Sequence, residues 1–279
     1  ELLEMLNILE GYDLAHDDEA QTLHLMIEAM KRAYADRALF LGDPDKVQNP
    51  VARLTSKSYA ADWRATIDPA HATPAADIRA GGNVQPEGRN TTHFSVVDRF
   101  GNAVSNTYTL NFSYGVGLVA EGTGILLNNE LDDFAAKPGA PNAYGLVGGD
   151  ANAPGPGKRP LSSMTPTIVL KDGKPFLVTG SPGGSRIITT VLQVIVNVID
   201  RKLPIADAIA EPRLHHQWSP DEIMVERGFS PDLIRELKVR GHDVVEGSPP
   251  TSANSILVTS AGLLGAADNR TRGALAAGY

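Results

Sequence analysis

Asn90-Thr91-Thr92-His93-Phe94-Ser95-Val96-Val97-Asp98 alternates polar and apolar residues and is rich in β-branched side chains, so it reads as a strand. Before it, Gly81-Gly82-Asn83-Val84-Gln85-Pro86-Glu87-Gly88-Arg89 has the Gly and Pro content of a loop. A loop that runs into a strand opening with Thr is a place where a self-cleaving precursor can be cut. Cleavage between Asn90 and Thr91 frees the α-amino group of Thr91, which then carries a general base and a hydroxyl nucleophile on one residue. Thr is also common at strand starts, so this stretch by itself leaves an ordinary strand-edge threonine as the alternative.

The flanks give the stretch a setting. Downstream, Ala103–Leu110 reads as a second strand, with Arg99-Phe100-Gly101-Asn102 as the hairpin turn. Ile125-Leu126-Leu127 reads as a short buried segment, followed by polar Asn128-Asn129-Glu130 and the acidic pair Asp132-Asp133. Lys137–Gly157 is a long loop dense in Gly, Pro and Asn, a length typical of lids and binding loops. Thr165–Leu170 and Pro175–Thr179 form another hairpin, and Gly180-Ser181-Pro182-Gly183-Gly184-Ser185 leads straight into a largely buried helix, Arg186–Ile199. Helices are expected around Ile205–Ala210 and Pro231–Arg240, and strands near Glu222–Val225, Asp243–Val245, Ser255–Val258 and Leu263–Ala266. Upstream, Leu2, Leu3, Leu6 and Leu9 mark a first helix. Asp17 or Asp18 caps a long second one whose apolar face carries Leu23, Ile27, Met30 and Tyr34. A shorter helix is expected around Ser58–Ile67. The order of helices, strands, helices and strands gives an α+β class.

Composition narrows the function. The 279 residues are 42% hydrophobic, enough for a substantial core, and the net charge of -8 with no basic run argues against nucleic acid as a partner. The absence of cysteine excludes disulfides, thiolate metal sites and a Cys nucleophile. His215-His216 invites a metal reading, but adjacent side chains point apart and no third ligand has a suitable spacing, so both histidines, like His93, are read as structural. No metal or organic cofactor is indicated. The chain opens at Glu1 within a helical pattern, as a fragment or a processed piece would.

Four motifs then stand in one order: Thr91-Thr92-His93-Phe94-Ser95-Val96-Val97-Asp98; Gly124-Ile125-Leu126-Leu127-Asn128-Asn129 with Asp132-Asp133-Phe134; Arg159-Pro160-Leu161-Ser162-Ser163-Met164; and Gly180-Ser181-Pro182-Gly183-Gly184-Ser185. Together they resemble the γ-glutamyltranspeptidases (glutathione hydrolases), N-terminal nucleophile hydrolases, over the whole chain from Glu1 to Tyr279. The resemblance implies a four-layer αββα sandwich and a precursor that cuts itself at Asn90-Thr91. Residues 91–279 would be the small catalytic subunit, and residues 1–90 the C-terminal part of the large subunit, whose remainder is a partner. An Arg that grips the substrate α-carboxylate in the family has no counterpart assignable in this chain.

By the same resemblance, Thr91 attacks a γ-glutamyl amide and Thr109 hydrogen-bonds and helps activate it. Asn111, Glu130 and Asp133 would hold the substrate ammonium, and Ser162 and Ser163 its carboxylate, a sensible division of acceptors and donors. Adjacent strand residues face opposite ways, which favours Asp133 over Asp132. Gly183 and Gly184 would supply the oxyanion hole from backbone N–H groups, backed by the N-terminus of the following helix. A phosphate loop is the other reading of those glycines, disfavoured because no Lys follows them. Pro138–Gly149 resembles the family's lid, with Tyr144 as its gating aromatic. Implied substrates are glutathione and other γ-glutamyl compounds, with water, amino acids or dipeptides as acceptors. The implied location is periplasmic or secreted.

Two further readings stay open: a cephalosporin (glutaryl) acylase-like relative using the same Thr, and an inactive precursor fragment. A glutaryl group lacks the α-amine, so Glu130 and Asp133 favour a γ-glutamyl substrate.

Overall fold

The longest helix grows from an aspartate. Asp18 is extended, and its side chain accepts from the backbone N–H of Gln21 at 2.8 Å, which starts a helix of 22 residues with no Gly or Pro inside it. The computed structural model describes residues 1–78, 91–135, 137, 140, 148–247 and 251–278. In chain order its elements are α1 (Leu2–Leu9), α2 (Glu19–Phe40), α3 (Val51–Leu54), α4 (Lys57–Arg64), α5 (Ala75–Ile78), β1 (Thr91–Val97), β2 (Ala103–Thr109), β3 (Thr167–Lys171), β4 (Lys174–Thr179), α6 (Arg186–Ile199), α7 (Ile205–Ala210), β5 (Leu214–His215), β6 (Ile223–Val225), α8 (Pro231–Val239), β7 (Val244–Glu246), β8 (Ser255–Thr259) and β9 (Gly262–Ala266). Short 3-10 turns cover Glu130–Asp133 and Asp150–Asn152. The mixture is α+β, as the sequence order predicts.

These elements fall into two compact units that interleave along the chain. The first takes Glu1–Glu87, Glu130–Ser162 and Leu214–Ser248; the second takes Gly88–Asn129, Ser163–Arg213 and Pro249–Tyr279.

In the first unit α2 is buried nearly all round, not on one stripe. Its charged residues go inside with it, and each has a partner. The Arg32 guanidinium donates to Glu28 Oε2 at 2.6 Å, and Lys31 lies 3.1 Å from Asp221. Asp36 accepts from Tyr59 Oη at 2.6 Å and Trp63 Nε1 at 2.9 Å, which ties α4 to α2. The small sheet of this unit pairs β5 antiparallel and β7 parallel with β6.

In the second unit β1 and β2 pair in an unbroken antiparallel register from Thr91↔Thr109 to Val97↔Ala103. Asp98 Oδ1 accepts from the N–H groups of Phe100 and Asn102, and Gly101 at φ 84° completes the turn. This hairpin lies on a four-stranded antiparallel sheet, β3-β4-β8-β9. The joint is made by hydroxyls: Ser105 Oγ donates to the Thr179 carbonyl at 2.8 Å, and Ser95 Oγ to the Asn254 carbonyl at 2.9 Å. Gly180 is needed here, because a Cβ at that position would sit 2.3 Å from the His93 ring. α7 packs on β8 and β9, and α6 on α7. Ile187, Val191, Leu192 and Val194 of α6 are fully buried; each contributes about 1.5–3 kcal/mol of transfer free energy.

Candidate active site

Thr91, the candidate nucleophile, lies in the second unit. Thr91 opens β1 directly across from the last residue of β2, and its Oγ1 donates to Thr109 Oγ1 at 3.1 Å. The Thr109 oxygen also accepts from the backbone N–H of Asn111 at 2.8 Å. A second donor fixes the orientation of the Thr109 hydroxyl. Asn111 itself is buried in the left-handed region at φ 71°, a conformation Asn tolerates better than branched residues. Its Nδ2 donates to the Asn129 carbonyl at 3.1 Å, so a substrate ammonium would have to meet the amide oxygen. Thr92 points to the exposed face of β1, away from the Thr91–Thr109 pair.

Gly183 and Gly184 stand at φ 136° and φ 58°, positions that favour glycine, and their carbonyls accept from the N–H groups of Arg186 and Ile187 as α6 begins. The loop is braced by Ser181, whose Oγ accepts from the N–H of Ser252 at 2.9 Å and donates to the Pro182 carbonyl. Two reversed glycines ahead of a 14-residue helix present backbone N–H groups with the helix dipole behind them. Ser163 belongs to this unit and is half-buried, its carbonyl accepting from Thr165 Oγ1.

The carboxylates lie in the first unit. Glu130 and Asp133 occupy one 3-10 turn, not a strand; Asp133 is half-buried and Asp132 is exposed. Burial pushes the Asp133 carboxyl up to about 7, with the neighbouring Glu130 charge adding to it. Burial likewise raises Glu130. Burial keeps both carboxyls from ionising fully, and the charge of Glu130 adds to this at Asp133. Ser162 is exposed in the same unit.

Within the first unit, the acidic turn and the Ser162 segment are joined by a residue that nothing in the sequence singles out. Buried Asn152 donates from Nδ2 to the Asp133 carbonyl at 2.7 Å and accepts at Oδ1 from the Leu161 N–H at 3.0 Å. It therefore ties the acidic turn to the segment that carries Ser162. Arg159 of that segment is anchored on Asp43, donating from its backbone N–H at 2.8 Å and from Nη2 at 2.8 Å. The Arg159 side chain and N–H hold the Asp43 carboxyl well below the usual carboxylate range. A lone Asn in a Gly- and Pro-rich loop carries no periodic signal; only the three-dimensional contact identifies it.

Other expectations are placed as follows. Ile125 and Leu127 are exposed, not buried, since the segment sits on a projecting hairpin with Val119↔Leu126 as its bridge. His215 Nε2 pairs with Gln217 at 2.8 Å; His216 accepts from the Trp218 N–H at Nδ1 and pairs with Asp221 at Nε2. His93 is held by Thr107 and Ser95, and burial lowers it to about 4. A cavity beside it is lined by Ser95, Asn254, Leu275 and Ala277, not by Thr91. Buried His24, Glu28 and His242 bring ligand atoms within 4.8 Å of one another. Glu28 is already bound by Arg32 and lies 3.5 Å from Lys31, and the two imidazoles hydrogen-bond at 2.8 Å, so further positive charge is opposed there. Asn90 and Tyr144, with most of the Pro138–Gly149 loop, lie outside the described residues.

Comparison with known proteins adds the following. A family profile described as gamma-glutamyltranspeptidase matches residues 2–278. A glutathione hydrolase proenzyme of Escherichia coli is 55% identical over 281 residues, which cover 100% of this chain and 48% of that protein. The chain spans about half the length of the curated relatives it matches. Among solved structures, the Helicobacter pylori γ-glutamyltranspeptidase T380A mutant is 55% identical with a TM-score of 0.62, covering 64% of this chain and 100% of that one. A cephalosporin acylase from Bacillus halodurans is 28% identical with a TM-score of 0.79, covering 97% of this chain and 47% of that one.

Proposed function

The chain belongs to the γ-glutamyltranspeptidase family, and from that premise we propose that it carries the catalytic part of a self-processing γ-glutamyl hydrolase and transferase whose nucleophile is Thr91. The observation that carries the reading is the pairing of Thr91 with Thr109 at the open end of the β1–β2 hairpin, with the Thr109 oxygen held in turn by the Asn111 N–H. A hydroxyl so oriented is poised but weak, and it needs a base. Once the Asn90-Thr91 bond is cut, the α-amine of Thr91, titrating at about 8, supplies one with an appreciable neutral fraction at neutral pH. The amine takes the hydroxyl proton as Oγ1 attacks the γ-glutamyl carbonyl. The proton then passes to the leaving amine, giving a γ-glutamyl-Thr91 ester. Water, an amino acid or a dipeptide opens that ester. Gly183 and Gly184 meet the oxyanion, while Glu130, Asp133, Asn111, Ser162 and Ser163 grip the glutamyl head group, and Tyr144 gates it.

On this reading residues 91–279 are the small subunit and residues 1–90 the end of the large one. The solved H. pylori chain is matched in full by 64% of this chain, close to the share that residues 91–279 make up. The units interleave across the cut, so cleavage would not part them along the chain. The E. coli relative is named a proenzyme and a glutathione hydrolase, which supports glutathione-type substrates and, with the family resemblance, a periplasmic or secreted location. The likeness to a cephalosporin acylase favours a second reading, a glutaryl substrate on the same Thr. The Glu130–Asp133 pair, a cation receptor with no use for a group lacking an α-amine, favours the first.

Thr91→Ala in the full-length protein is expected to abolish both the cut before residue 91, read by intact mass, and turnover of a γ-glutamyl anilide. A variant that still cuts there would refute the assignment. Full turnover of wild type with the bond intact would refute the amine as base.

A further inference from the structure

The glycine loop ahead of α6 holds a hydroxyl that the acyl-transfer chemistry leaves without a role. Ser181 is fully buried. Its Oγ accepts from the backbone N–H of Ser252 at 2.9 Å and donates to the Pro182 carbonyl at 2.6 Å. A hydroxyl has one proton, and an incoming N–H turns that proton away from itself, here onto Pro182. The Ser252 donor is fixed on both sides. Arg213 donates to Thr251 Oγ1 at 2.8 Å and to Asp268 at 2.6 Å, and the same Asp268 carboxylate accepts from the Ala253 N–H at 2.7 Å. The Ser181 hydroxyl therefore sits in a frame built from three stretches of the second unit.

The Pro182 carbonyl shares one rigid plane with the Gly183 N–H. That peptide is trans, so the two groups point in opposite directions, and fixing the oxygen aims the N–H. Nothing local fixes the plane otherwise. The proline ring locks its own φ but not its ψ. Gly183, at φ 136°, is free to adopt either sign of φ, so it offers no steric bar to turning the peptide over. No backbone carbonyl among the described residues accepts from the N–H of Gly183 or Gly184.

We propose that Ser181 is a positioning residue for acyl transfer: by holding the Pro182 carbonyl, its hydroxyl fixes the peptide that carries the Gly183 N–H and keeps that donor turned to the developing oxyanion. This rests on the reading of Gly183 and Gly184 as the oxyanion donors for attack by Thr91. Ser181 itself touches no reacting atom. Oxyanion donors act because they are in place before the charge appears, so a peptide free to turn costs rate and not substrate affinity.

The test is the kinetics of full-length Ser181→Ala on a γ-glutamyl anilide, with rates taken per molecule cut before Thr91, counted by intact mass. Two inhibitors read the same site. Glutamate binds without forming an oxyanion. A glutamate analogue with a boronic acid in place of the γ-carboxyl accepts Thr91 Oγ1 at boron, the hydroxyl proton passing to the α-amine, and its tetrahedral adduct places an oxygen where the oxyanion forms. The kcat is expected to fall roughly tenfold or more, up to the 10²–10³-fold that losing one oxyanion donor costs. The boronate should weaken by a similar factor, as a transition-state mimic does, with glutamate inhibition unchanged. A wild-type kcat would overturn the proposal. So would equal weakening of glutamate and boronate, which means a displaced loop and not a turned peptide. Ser181→Cys, close in size and a weaker donor, decides the matter if the Ala variant fails to fold or to cut: a loss of the same kind supports the role, and a wild-type kcat overturns it. Turnover surviving in Thr91→Ala would sink the nucleophile reading on which this rests; an active wild type with unaffected Ser181 variants would sink the role of Ser181 alone.

Discussion

If Asp133 forms part of the proposed ammonium clamp, electrostatics and substrate choice meet there. Its carboxyl, pushed up to about 7 by burial and by Glu130, is largely protonated below neutral pH. An ammonium placed against it would favour the charged form and pull that value down. Binding a γ-glutamyl ligand between pH 5 and 7 should therefore release a proton, and KM should rise as pH falls through 7. Calorimetry in two buffers of different ionisation enthalpy reads the release directly. Asp133→Asn should remove it and weaken γ-glutamyl ligands by on the order of tenfold or more, since a charge-assisted hydrogen bond is worth about 1.5–3 kcal/mol. A des-amino (glutaryl) analogue should be nearly indifferent. Equal losses on both ligands would take Asp133 out of the ammonium clamp and favour the acylase reading.

The acidic turn and the Arg159–Ser162 segment are separate pieces of chain that Asn152 makes into one. Replacing it with Ala removes a donor to the Asp133 carbonyl and an acceptor for the Leu161 N–H, both part-buried. Stability should fall by about 1–3 kcal/mol. If Asn152 positions the clamp, KM for a γ-glutamyl substrate should also rise several-fold while kcat stays nearly constant. A melting shift with unchanged KM would leave it a purely structural tie. Elements of this kind mark the limit of sequence reading. β1, β2, α1, α6 and α7 were legible because their period or their turn chemistry is local, and Asp18 announced itself as a cap. The helix expected at Ser58–Ile67 is shorter, Lys57–Arg64, because Ala65, Thr66 and Ile67 leave the helical ladder. The four-residue helices α3 and α5 are too short to show a period at all. The burial of α2 was hidden because charged side chains normally signal solvent, and here Glu28, Arg32 and Asp36 satisfy one another or a neighbouring helix inside. Ile125-Leu126-Leu127 misled in the opposite sense: an apolar run implies burial, yet Ile125 and Leu127 lie exposed. Site residues came from motif resemblance, whereas Asn152 and Asp43 appear only once distant segments are brought together.

The titration of the whole chain follows from what is buried in it. Glu4 sits inside the first unit against Asp36, and burial, then the hydrogen bond to Asp36, pushes it up to about 9. The native state thus holds a proton that the unfolded chain gives up above about 4.5, so Glu4 favours folding at low pH and progressively less as pH rises to 9. Asp133 acts in the same direction up to about 7. The buried histidines oppose them. His93 and His242, lowered to about 4 and about 3 by burial, stay neutral in the fold while the unfolded chain takes up protons below about 6.5, so they cost stability as pH falls. Between about pH 4.5 and 6.5 the two sets oppose each other, with buried His24 and His216 joining the histidines and Glu130 and Asp200 the carboxyls; above that window the carboxyls dominate. Stability should therefore decline from neutral pH toward pH 9 by at most about 1.4 kcal/mol per pH unit for each group still titrating. Glu4→Gln keeps an amide to donate to Asp36 and removes the titrating proton, so it should flatten the alkaline limb of a denaturant-midpoint profile while sparing the acid limb. An alkaline limb as steep as wild type would show that the Glu4–Asp36 pair does not share a proton in the native protein.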